Sequence, residues 1–177
     1  MSDDQELWKE IANGNGDAFD TWYRETAPRL RLFLRHLLAD EQAAEDVMQE
    51  TFTQIWHRPQ RFDPERGSPR AYLFGVARRQ AADWRRKQKT VGELEFDPPA
   101  PRCVEIASMV AEAFSRLTLE HRTVLWLREI EGQSYQELAM ILDVPVGTVR
   151  SRLFAAREAL RALWRTARQH SGGRHDL

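Results

Sequence analysis

The sequence predicts an all-α fold of two small helical domains, a helical bundle followed by a helix-turn-helix, joined by a flexible linker. Apolar residues recur three and four positions apart along most of the chain, and no stretch alternates as a strand would. Residues 88–102 lack this period and contain three prolines, which is typical of a linker. We expect domains at 1–88 and 104–168, a flexible linker at 89–103 and a disordered tail at 169–177.

The first two helices of the N-terminal domain are delimited by turn and capping residues. A short helix over residues 7–12 ends at the turn 13–16, which contains two glycines. Asp17 is the expected N-cap of a long helix that reaches about Leu38. Pro28 lies within that helix, and we expect it to kink or divide the helix.

The next two helices also begin at recognisable caps. Asp40 is expected to cap a helix over residues 41–56. After a loop, Ser68 and Pro69 fit the N-cap and the first position of a fourth helix, since proline is favoured where no intrahelical N–H bond is needed.

The second domain is predicted to contain helices over residues 104–117 and 119–131, followed by a helical hairpin. Ser134 and Glu137 fit a capping box at the start of the hairpin's first helix. Residues 143–145 interrupt the helical pattern, because a residue before proline is pushed out of helical geometry.

The second helix of the hairpin starts near Val146 and has two distinct faces. One face carries the apolar residues Val149, Leu153, Ala156, Leu160 and Leu163, and the other carries Arg150, Phe154, Arg157 and Arg161. Residues 146–168 contain six arginines and one glutamate, whereas residues 103–145 contain seven acidic and three basic residues. This asymmetry favours DNA binding by the hairpin over an ordinary solvated helix face.

A second basic segment lies in the first domain. Residues 66–89 contain eight basic residues and one acidic residue, interleaved with Tyr72, Phe74 and Trp84. Cations with aromatic rings are typical of single-stranded nucleic-acid binding. The aromatic rings also fit the core of the helical domain, so the charge is the stronger part of this signal.

The helix over residues 41–56 has an acidic face made of Glu45, Asp46, Gln49, Glu50 and Thr53. Its other face carries Ala44, Met48, Phe52 and Ile55, which we expect in the core. From the residues alone, a protein-docking surface and a solvated acidic face explain the pattern equally well. A metal site is disfavoured, since the five histidines are scattered and lack zinc-ligand spacing.

Composition limits the remaining classes of protein. The net charge of −1 averages alternating acidic and basic blocks, and therefore says little about partners. The single cysteine, Cys103, excludes an intramolecular disulfide and fits a reducing compartment. No signal-peptide pattern or membrane-length apolar run is present, so a cytoplasmic location without membrane insertion is expected.

Two segments resemble a known family. Residues 44–56, AEDVMQETFTQIW, resemble the region 2 helix of bacterial sigma factors, and residues 117–163, with YQELA and PVGTVRSRL, resemble their region 4. The order of these regions and the short linker between them resemble the extracytoplasmic-function (ECF, group IV) branch of the sigma-70 family. This resemblance implies a subunit, not an enzyme and without a cofactor, that directs core RNA polymerase to promoters.

The resemblance also implies roles for individual residues. The residues implied in binding the clamp helices of the largest polymerase subunit are Glu45, Asp46, Gln49 and Glu50. The loop over residues 62–70 corresponds to one that holds a flipped base of the −10 element, and the candidates for reading that element are Arg66, Arg70, Arg78, Arg79, Asp83 and Trp84. The helix-turn-helix would enter the major groove at the −35 element. Its candidate contacts are Thr148, Arg150, Ser151, Arg152, Phe154 and Arg157. Of these, Thr148 and Arg152 would contact phosphate or support the structure.

Further partners implied by the family are the flap of the second-largest polymerase subunit and a cognate anti-sigma factor. Five positions depart from the common family pattern: Gly75 replaces a basic residue, Arg79 an asparagine, Leu119 a proline, Asp143 a glycine and Ala155 an arginine. Two other hypotheses are a stand-alone helix-turn-helix regulator and a small metal-dependent nuclease using the carboxylates around Glu45. The first lacks a pattern for a ligand-binding or phosphoacceptor domain, and the second lacks a convergent ligand set.

Overall fold

The computed structural model describes residues 2–38, 40–89 and 113–172, and these ranges are helical without strands. The all-α prediction is therefore confirmed. Residues 113–115 are helical, and the rest of the helix expected over residues 104–117 lies mainly outside the described residues. The α-helices whose bounds are described are, in chain order, α1 (Ser2–Ala12), α2 (Gly16–Leu38), α3 (Glu41–His57), α4 (Pro69–Lys89), α5 (Leu119–Leu125), α6 (Tyr135–Leu142) and α7 (Val146–Gly172). We call α1–α4 the N-terminal bundle and α5–α7 the C-terminal unit.

The start of the bundle differs from the sequence prediction in three details. Helix α1 begins at Ser2, five residues earlier than expected. The cap of α2 is Asn15 rather than Asp17, because the Asn15 side chain accepts hydrogen bonds from the backbone N–H groups of Asp17 and Ala18. Helix α2 continues through Pro28 and is not divided there.

The starts of α3 and α4 follow the sequence prediction. The Asp40 carboxylate accepts a hydrogen bond from the Ala43 N–H, and the Ser68 hydroxyl accepts one from the Ala71 N–H. Between these helices the chain makes two 3₁₀ turns, at Pro59–Arg61 and Pro64–Arg66. We call residues 58–68 the α3–α4 loop.

An aromatic cluster forms the centre of the N-terminal bundle. The Trp22 ring is fully buried and meets Trp8 and Phe52 edge to face, with ring centroids 5.3 and 5.9 Å apart. The four α3 residues predicted for the core, Ala44, Met48, Phe52 and Ile55, are all buried. Packing thus fixes which face of α3 is presented outward.

The C-terminal unit is organised around the helical hairpin. The capping box of Ser134 and Glu137 is formed in both directions, and Asp143 ends α6 in the left-handed conformation with φ 56°. The hairpin's main core residues are Leu138, Ile141, Val149, Leu153 and Ala156, all fully or almost fully buried. The helix expected over residues 119–131 is α5 continued by a π-helical turn at Trp126–Ile130.

The bundle and the C-terminal unit are in direct contact. Gly75 of α4 lies against the backbone of Ile141, where an added Cβ would be 3.7 Å from the Ile141 Cα. At the other edge, the His36 ring stacks on Trp126 with centroids 5.4 Å apart, and Arg29 pairs with Glu131 across 3.6 Å. The predicted linker lies outside the described residues except for Lys89, whereas α7 extends past the expected boundary at 168.

Candidate nucleic-acid and polymerase interface

The acidic face of α3 is accessible. Asp46, Gln49 and Glu50 are exposed, and Glu45 is half-buried. Glu45 is bound on one side by Arg31, whose Nε lies 3.1 Å from the Glu45 carboxylate, and Asp46 accepts a hydrogen bond from Gln42. Glu50 therefore presents its charge to solvent on a face whose opposite side is fixed in the core.

A polar cavity of about 340 Å³ lies between the α3–α4 loop, α4 and the end of α6. Its lining from the N-terminal bundle includes Gln54, Arg61, Phe62, Asp63, Arg66, Tyr72 and Arg79, and Met140 and Asp143 contribute from the C-terminal unit. The cavity thus combines three guanidinium groups with two aromatic rings. Such a set can hold a planar base and the phosphates beside it.

The six residues implied in −10 reading do not form one cluster. Arg66 and Arg79 line the polar cavity. Arg70 instead points to α1 and α2, since its guanidinium bonds Asp4 at 2.5 Å and Glu25 at 3.3 Å. Asp83 pairs with Arg86, one turn along α4. Trp84 is half-buried against the hydrophobic core. This agrees with the interpretation that the aromatic rings of residues 66–89 belong to the core of the helical domain.

Arg78 has a partner in the other domain. Its Nε donates a 2.6 Å hydrogen bond to the Ile141 carbonyl, in the last turn of α6. Burial, together with the nearby charge of Arg79, lowers the pKa of Arg78. Arg78 also lines an apolar groove of about 270 Å³ between the two domains, with Leu37 and Leu142.

The outer face of α7 carries a group of accessible side chains near its start. Phe154 is 68% exposed, although it lies on a helix whose opposite side is buried. Arg150 and Ser151 are also exposed, and the Arg150 guanidinium lies 5.8 Å from the centre of the Tyr135 ring. Ser151 donates a hydrogen bond to the Thr148 carbonyl, while Thr148 itself is half-buried.

Two arginines of α7 are held by carboxylates of the C-terminal unit. Arg152 pairs with Glu120 at 2.8 Å, and Arg157 pairs with Glu129 at 2.6 Å. The hydrogen bond to Glu129 raises the pKa of Arg157. In the sequence, Glu120 and Glu129 contributed only to the acidic count of residues 103–145. In the structure, they orient two arginine side chains of the basic helix α7.

Sequence reasoning missed three residues at the contact between domains. His36 was noted only as one of several scattered histidines, but it is 1% exposed beside Trp126. Gly75 was noted as a departure, without its role in helix packing. Glu137 was recognised as a cap, whereas its second partner, Ser68, is 69 positions away and leaves no local signal.

The chain was compared with known families and proteins. Sigma-70 region 2 matches residues 22–91, and the region 4 family of sigma-70 factors matches residues 107–160. The RNA polymerase sigma-H factor of Pseudomonas aeruginosa is 32% identical over 89% of this chain and 91% of its own length. The ECF sigma factor SigL of Mycobacterium tuberculosis is 34% identical over 78% of this chain and 84% of its own length.

Solved structures show the same fold. CnrH, in complex with the cytosolic domain of CnrY, matches with a TM-score of 0.68 and 27% identity over 93% of this chain and 98% of that one. The Bartonella quintana sigma factor RpoE, in complex with the anti-sigma factor NepR, matches with a TM-score of 0.67 and 24% identity over 83% and 96% of the two chains.

The chain belongs to the sigma-70 family of RNA polymerase sigma factors. Within that family its relatives place it in the ECF branch. Sigma factors as a class are not enzymes. In the part of the chain that the structure describes, no helix is long and apolar enough to cross a membrane, and no group of three metal-ligating side chains is assembled.

Proposed function

We propose that this sigma factor binds core RNA polymerase and directs it to promoters by reading −35 duplex and −10 single-stranded DNA. The observation that carries the proposal is the face formed by Arg150, Ser151 and Phe154. These accessible side chains stand near the start of a helix whose opposite side is buried in a helix-turn-helix. In such motifs, that part of the second helix contacts base edges.

The −35 element is read by direct contacts in the major groove. Arginine bonded to guanine is the commonest specific contact there, and a good bidentate pair is worth about 1–3 kcal/mol. Arg150 is exposed and is assigned this role, while Phe154 packs against a thymine methyl. Arg157 releases Glu129 and contacts a DNA phosphate. Arg152 stays paired with Glu120 and supports the helix from its less exposed side.

The −10 element is read as single-stranded DNA by the α3–α4 loop and α4. Flipping a base costs a few kcal/mol, which capture in a fitting pocket offsets. The cavity beside Tyr72, Arg66 and Arg79 supplies aromatic and cationic groups for such a base. Arg70, held by Asp4 and Glu25, positions the start of α4 and is not assigned a base contact.

The acidic face of α3 docks on the clamp helices of the largest polymerase subunit. Glu50, Gln49 and Asp46 form the accessible part of this surface, and Glu45 braces it through Arg31. The C-terminal unit engages the flap of the second-largest subunit. Core polymerase thereby holds two weak DNA-reading domains at a fixed spacing, and their linked binding becomes specific.

A cognate anti-sigma factor is a further proposed partner. CnrH and RpoE were solved with the cytosolic domain of CnrY and with the anti-sigma factor NepR, respectively. The likeness to CnrH spans nearly all of both chains, so a partner that binds as the cytosolic domain of CnrY binds CnrH fits this protein. The implied place of action is the cytoplasm, where polymerase and the chromosome are found.

The test is run-off transcription with purified core RNA polymerase on a randomised promoter library, with start sites mapped by sequencing. Starts preceded by two shared elements at fixed spacing, present only when this protein is added, are the expected result. Glu50→Lys should abolish initiation by reversing a docking charge, whereas Glu6→Lys, an equal charge change on α1, should not. A folded protein that stimulates no initiation would refute the proposal.

A further inference from the structure

We propose that Gln54 of α3 selects the base that enters the polar cavity, and that Gln80 of α4 fixes which end of the Gln54 carboxamide meets that base. The selected bases are thymine and guanine, which carry a carbonyl oxygen where cytosine and adenine carry an amino group. The inference rests on the proposed reading of the −10 element as single-stranded DNA. It adds the side chain that discriminates among bases and the side chain that positions it.

A chain of three polar side chains connects the core of the N-terminal bundle to the polar cavity. Thr51 is fully buried, and its hydroxyl lies 2.6 Å from the Gln80 Oε1. The Gln80 Nε2 donates a 2.9 Å hydrogen bond to the Gln54 Oε1, and Gln54 lines the cavity. All three residues belong to α3 or α4, so their arrangement is a property of the bundle itself.

The Thr51 hydroxyl sets the direction of this chain. It has one proton and two acceptors within reach, the Gln80 Oε1 at 2.6 Å and the Val47 carbonyl at 2.7 Å. The Val47 carbonyl already accepts the helical hydrogen bond from the Thr51 N–H in α3. Among the described residues, the Gln80 Oε1 has no other donor. Because a buried acceptor without a donor costs free energy, the hydroxyl proton goes to Gln80.

This direction makes Gln54 a hydrogen-bond donor toward the cavity. A carboxamide has its acceptor oxygen on one side and its NH₂ donor on the other. With its oxygen turned to Gln80, Gln54 directs its Nε2 away from α4, and no described residue accepts a hydrogen bond from that group. A glutamine that recognises adenine uses both ends of its carboxamide at once. Gln54 cannot do so while Gln80 holds its oxygen.

A single donor at this place distinguishes two kinds of base edge. A flipped base is read by hydrogen bonds to its Watson–Crick edge. There the carbonyl oxygen of thymine or guanine accepts a hydrogen bond from the Gln54 Nε2. The amino group of cytosine or adenine is a second donor, and two donors that face each other leave both groups unsatisfied. We expect this mismatch to weaken binding about tenfold.

The other groups of the cavity do not oppose this selection. Phe62 and Tyr72 offer ring faces, which stack on any base. The three arginines of the lining are donors, and their charges attract phosphates without regard to sequence. The Asp63 carboxylate accepts a hydrogen bond from the Glu65 N–H in its own 3₁₀ turn. Gln54 is therefore the group in the lining whose polarity its neighbours determine.

The experiment uses the holoenzyme, formed by the full chain and core RNA polymerase, on templates whose −10 region is already melted. At each non-template position of that element in turn, uracil is compared with cytosine and hypoxanthine with adenine. Within each pair a carbonyl oxygen replaces a ring amino group, and the adjacent ring nitrogen gains a proton. Competition binding gives the affinity ratio for each pair, which cancels any uniform loss of DNA binding in a variant.

The unsubstituted protein should prefer uracil and hypoxanthine about tenfold at one position of the element. Gln80→Glu should reverse that preference, because both of its terminal atoms are acceptors. Gln54 must then turn its Nε2 to α4 and its Oε1 to the base. Gln80→Met has a similar length but no hydrogen-bonding group, and should bring both ratios close to one. Gln5→Glu, the same change at an exposed position of α1, is the matched control and should keep the original ratios.

Gln54→Glu tests the same contact by a second route, since it replaces the donor itself with an acceptor and should also reverse the preference. Circular dichroism checks the folding of each variant, and Gln54→Glu alone decides the question if Gln80→Glu does not fold. High affinity for the melted templates with unchanged ratios in the folded glutamate variants would overturn the inference and leave the proposed function intact. An unsubstituted protein that prefers cytosine and adenine would overturn it too. A holoenzyme with no affinity for any melted template would refute the proposed function, and the inference with it.

Discussion

The Glu137 carboxylate caps its own helix and also binds Ser68, the N-cap residue of a helix in the other domain. It accepts a hydrogen bond from the Ser134 N–H at 2.8 Å while accepting two from Ser68. Burial alone would raise the pKa of Glu137, but the hydrogen bonds from Ser68 and Ser134 outweigh burial and lower it. One side chain thereby couples the start of α6 to the start of α4.

This coupling predicts non-additive effects of substitution. Glu137→Gln keeps a capping-box residue but removes the charge, and Ser68→Ala removes the partner hydroxyl. In a double-mutant cycle followed by urea unfolding, we expect a coupling of about 1.5 kcal/mol, because hydrogen bonds to charged groups contribute about that much. The cycle of Ser68→Ala with Thr21→Ala is the control, since the Thr21 hydroxyl donates to the Asp17 carbonyl of its own helix and shares no partner with Ser68. Additive effects of Glu137→Gln and Ser68→Ala would contradict the coupling.

The burial of His36 predicts acid sensitivity. Burial, reinforced by the charge of Arg122, lowers the pKa of His36 from 6.5 to about 3. Between pH 6.5 and about pH 3, the unfolded chain binds a proton at this histidine that the folded chain does not bind. The free energy of unfolding therefore falls as the pH falls through this range. The slope is at most about 1.4 kcal/mol per pH unit.

His36→Phe keeps an aromatic ring against Trp126 and should flatten this dependence, measured as the thermal midpoint between pH 7 and pH 4. His57→Phe, at an exposed position, should leave the dependence unchanged. An unaltered pH profile in His36→Phe would show that this histidine is not the group that titrates.

The left-handed backbone at Asp143 predicts an order of stabilities. A side chain in this conformation costs about 1–2 kcal/mol, less for aspartate and asparagine, and glycine avoids the cost. Asp143→Gly should therefore stabilise the chain by up to about 1 kcal/mol, Asp143→Asn should be close to neutral, and Asp143→Val should destabilise it. Urea midpoints measure all three, and an Asp143→Val variant as stable as the starting chain would contradict the assigned backbone.

The exposed face of α7 predicts a separation of DNA reading from polymerase binding. Arg150→Ala and Phe154→Ala should each reduce initiation at the selected promoter about tenfold or more, in line with about 1–3 kcal/mol per base contact. Affinity for core polymerase should not change. Arg165→Ala makes the same charge change as Arg150→Ala but lies about 22 Å further along the helix axis, and should have a smaller effect. Equal loss of both activities would indicate misfolding.

Local sequence signals predicted much of the fold. Asp40, Ser68 and the Ser134–Glu137 box are caps whose partners lie within a few residues, and all of them form as expected. The outward position of Phe154 and the burial of Val149 follow from helical periodicity alone. These features depend on spacing, which a single sequence contains.

Contacts between distant residues were not predictable in the same way. Arg70 binds Asp4, Arg78 binds the Ile141 carbonyl and Arg157 binds Glu129, at 66, 63 and 28 positions away in the sequence. A count of charges along the chain does not identify these partners. Periodicity places His36 on a helix but does not show that a second domain covers it. The contact between α4 and α6 was hidden for the same reason, since the residues on both sides also fit the pattern of their own helices.

The absence of a side chain at Gly75 has a consequence for recombination among related genes. A basic residue at this position would have to fit its side chain beside the Ile141 backbone, whose Cα lies only 3.7 Å from where a Cβ would stand. Exchanging either half between such genes would therefore alter the packing of α4 against α6. In this protein the two halves are therefore matched to each other at this contact.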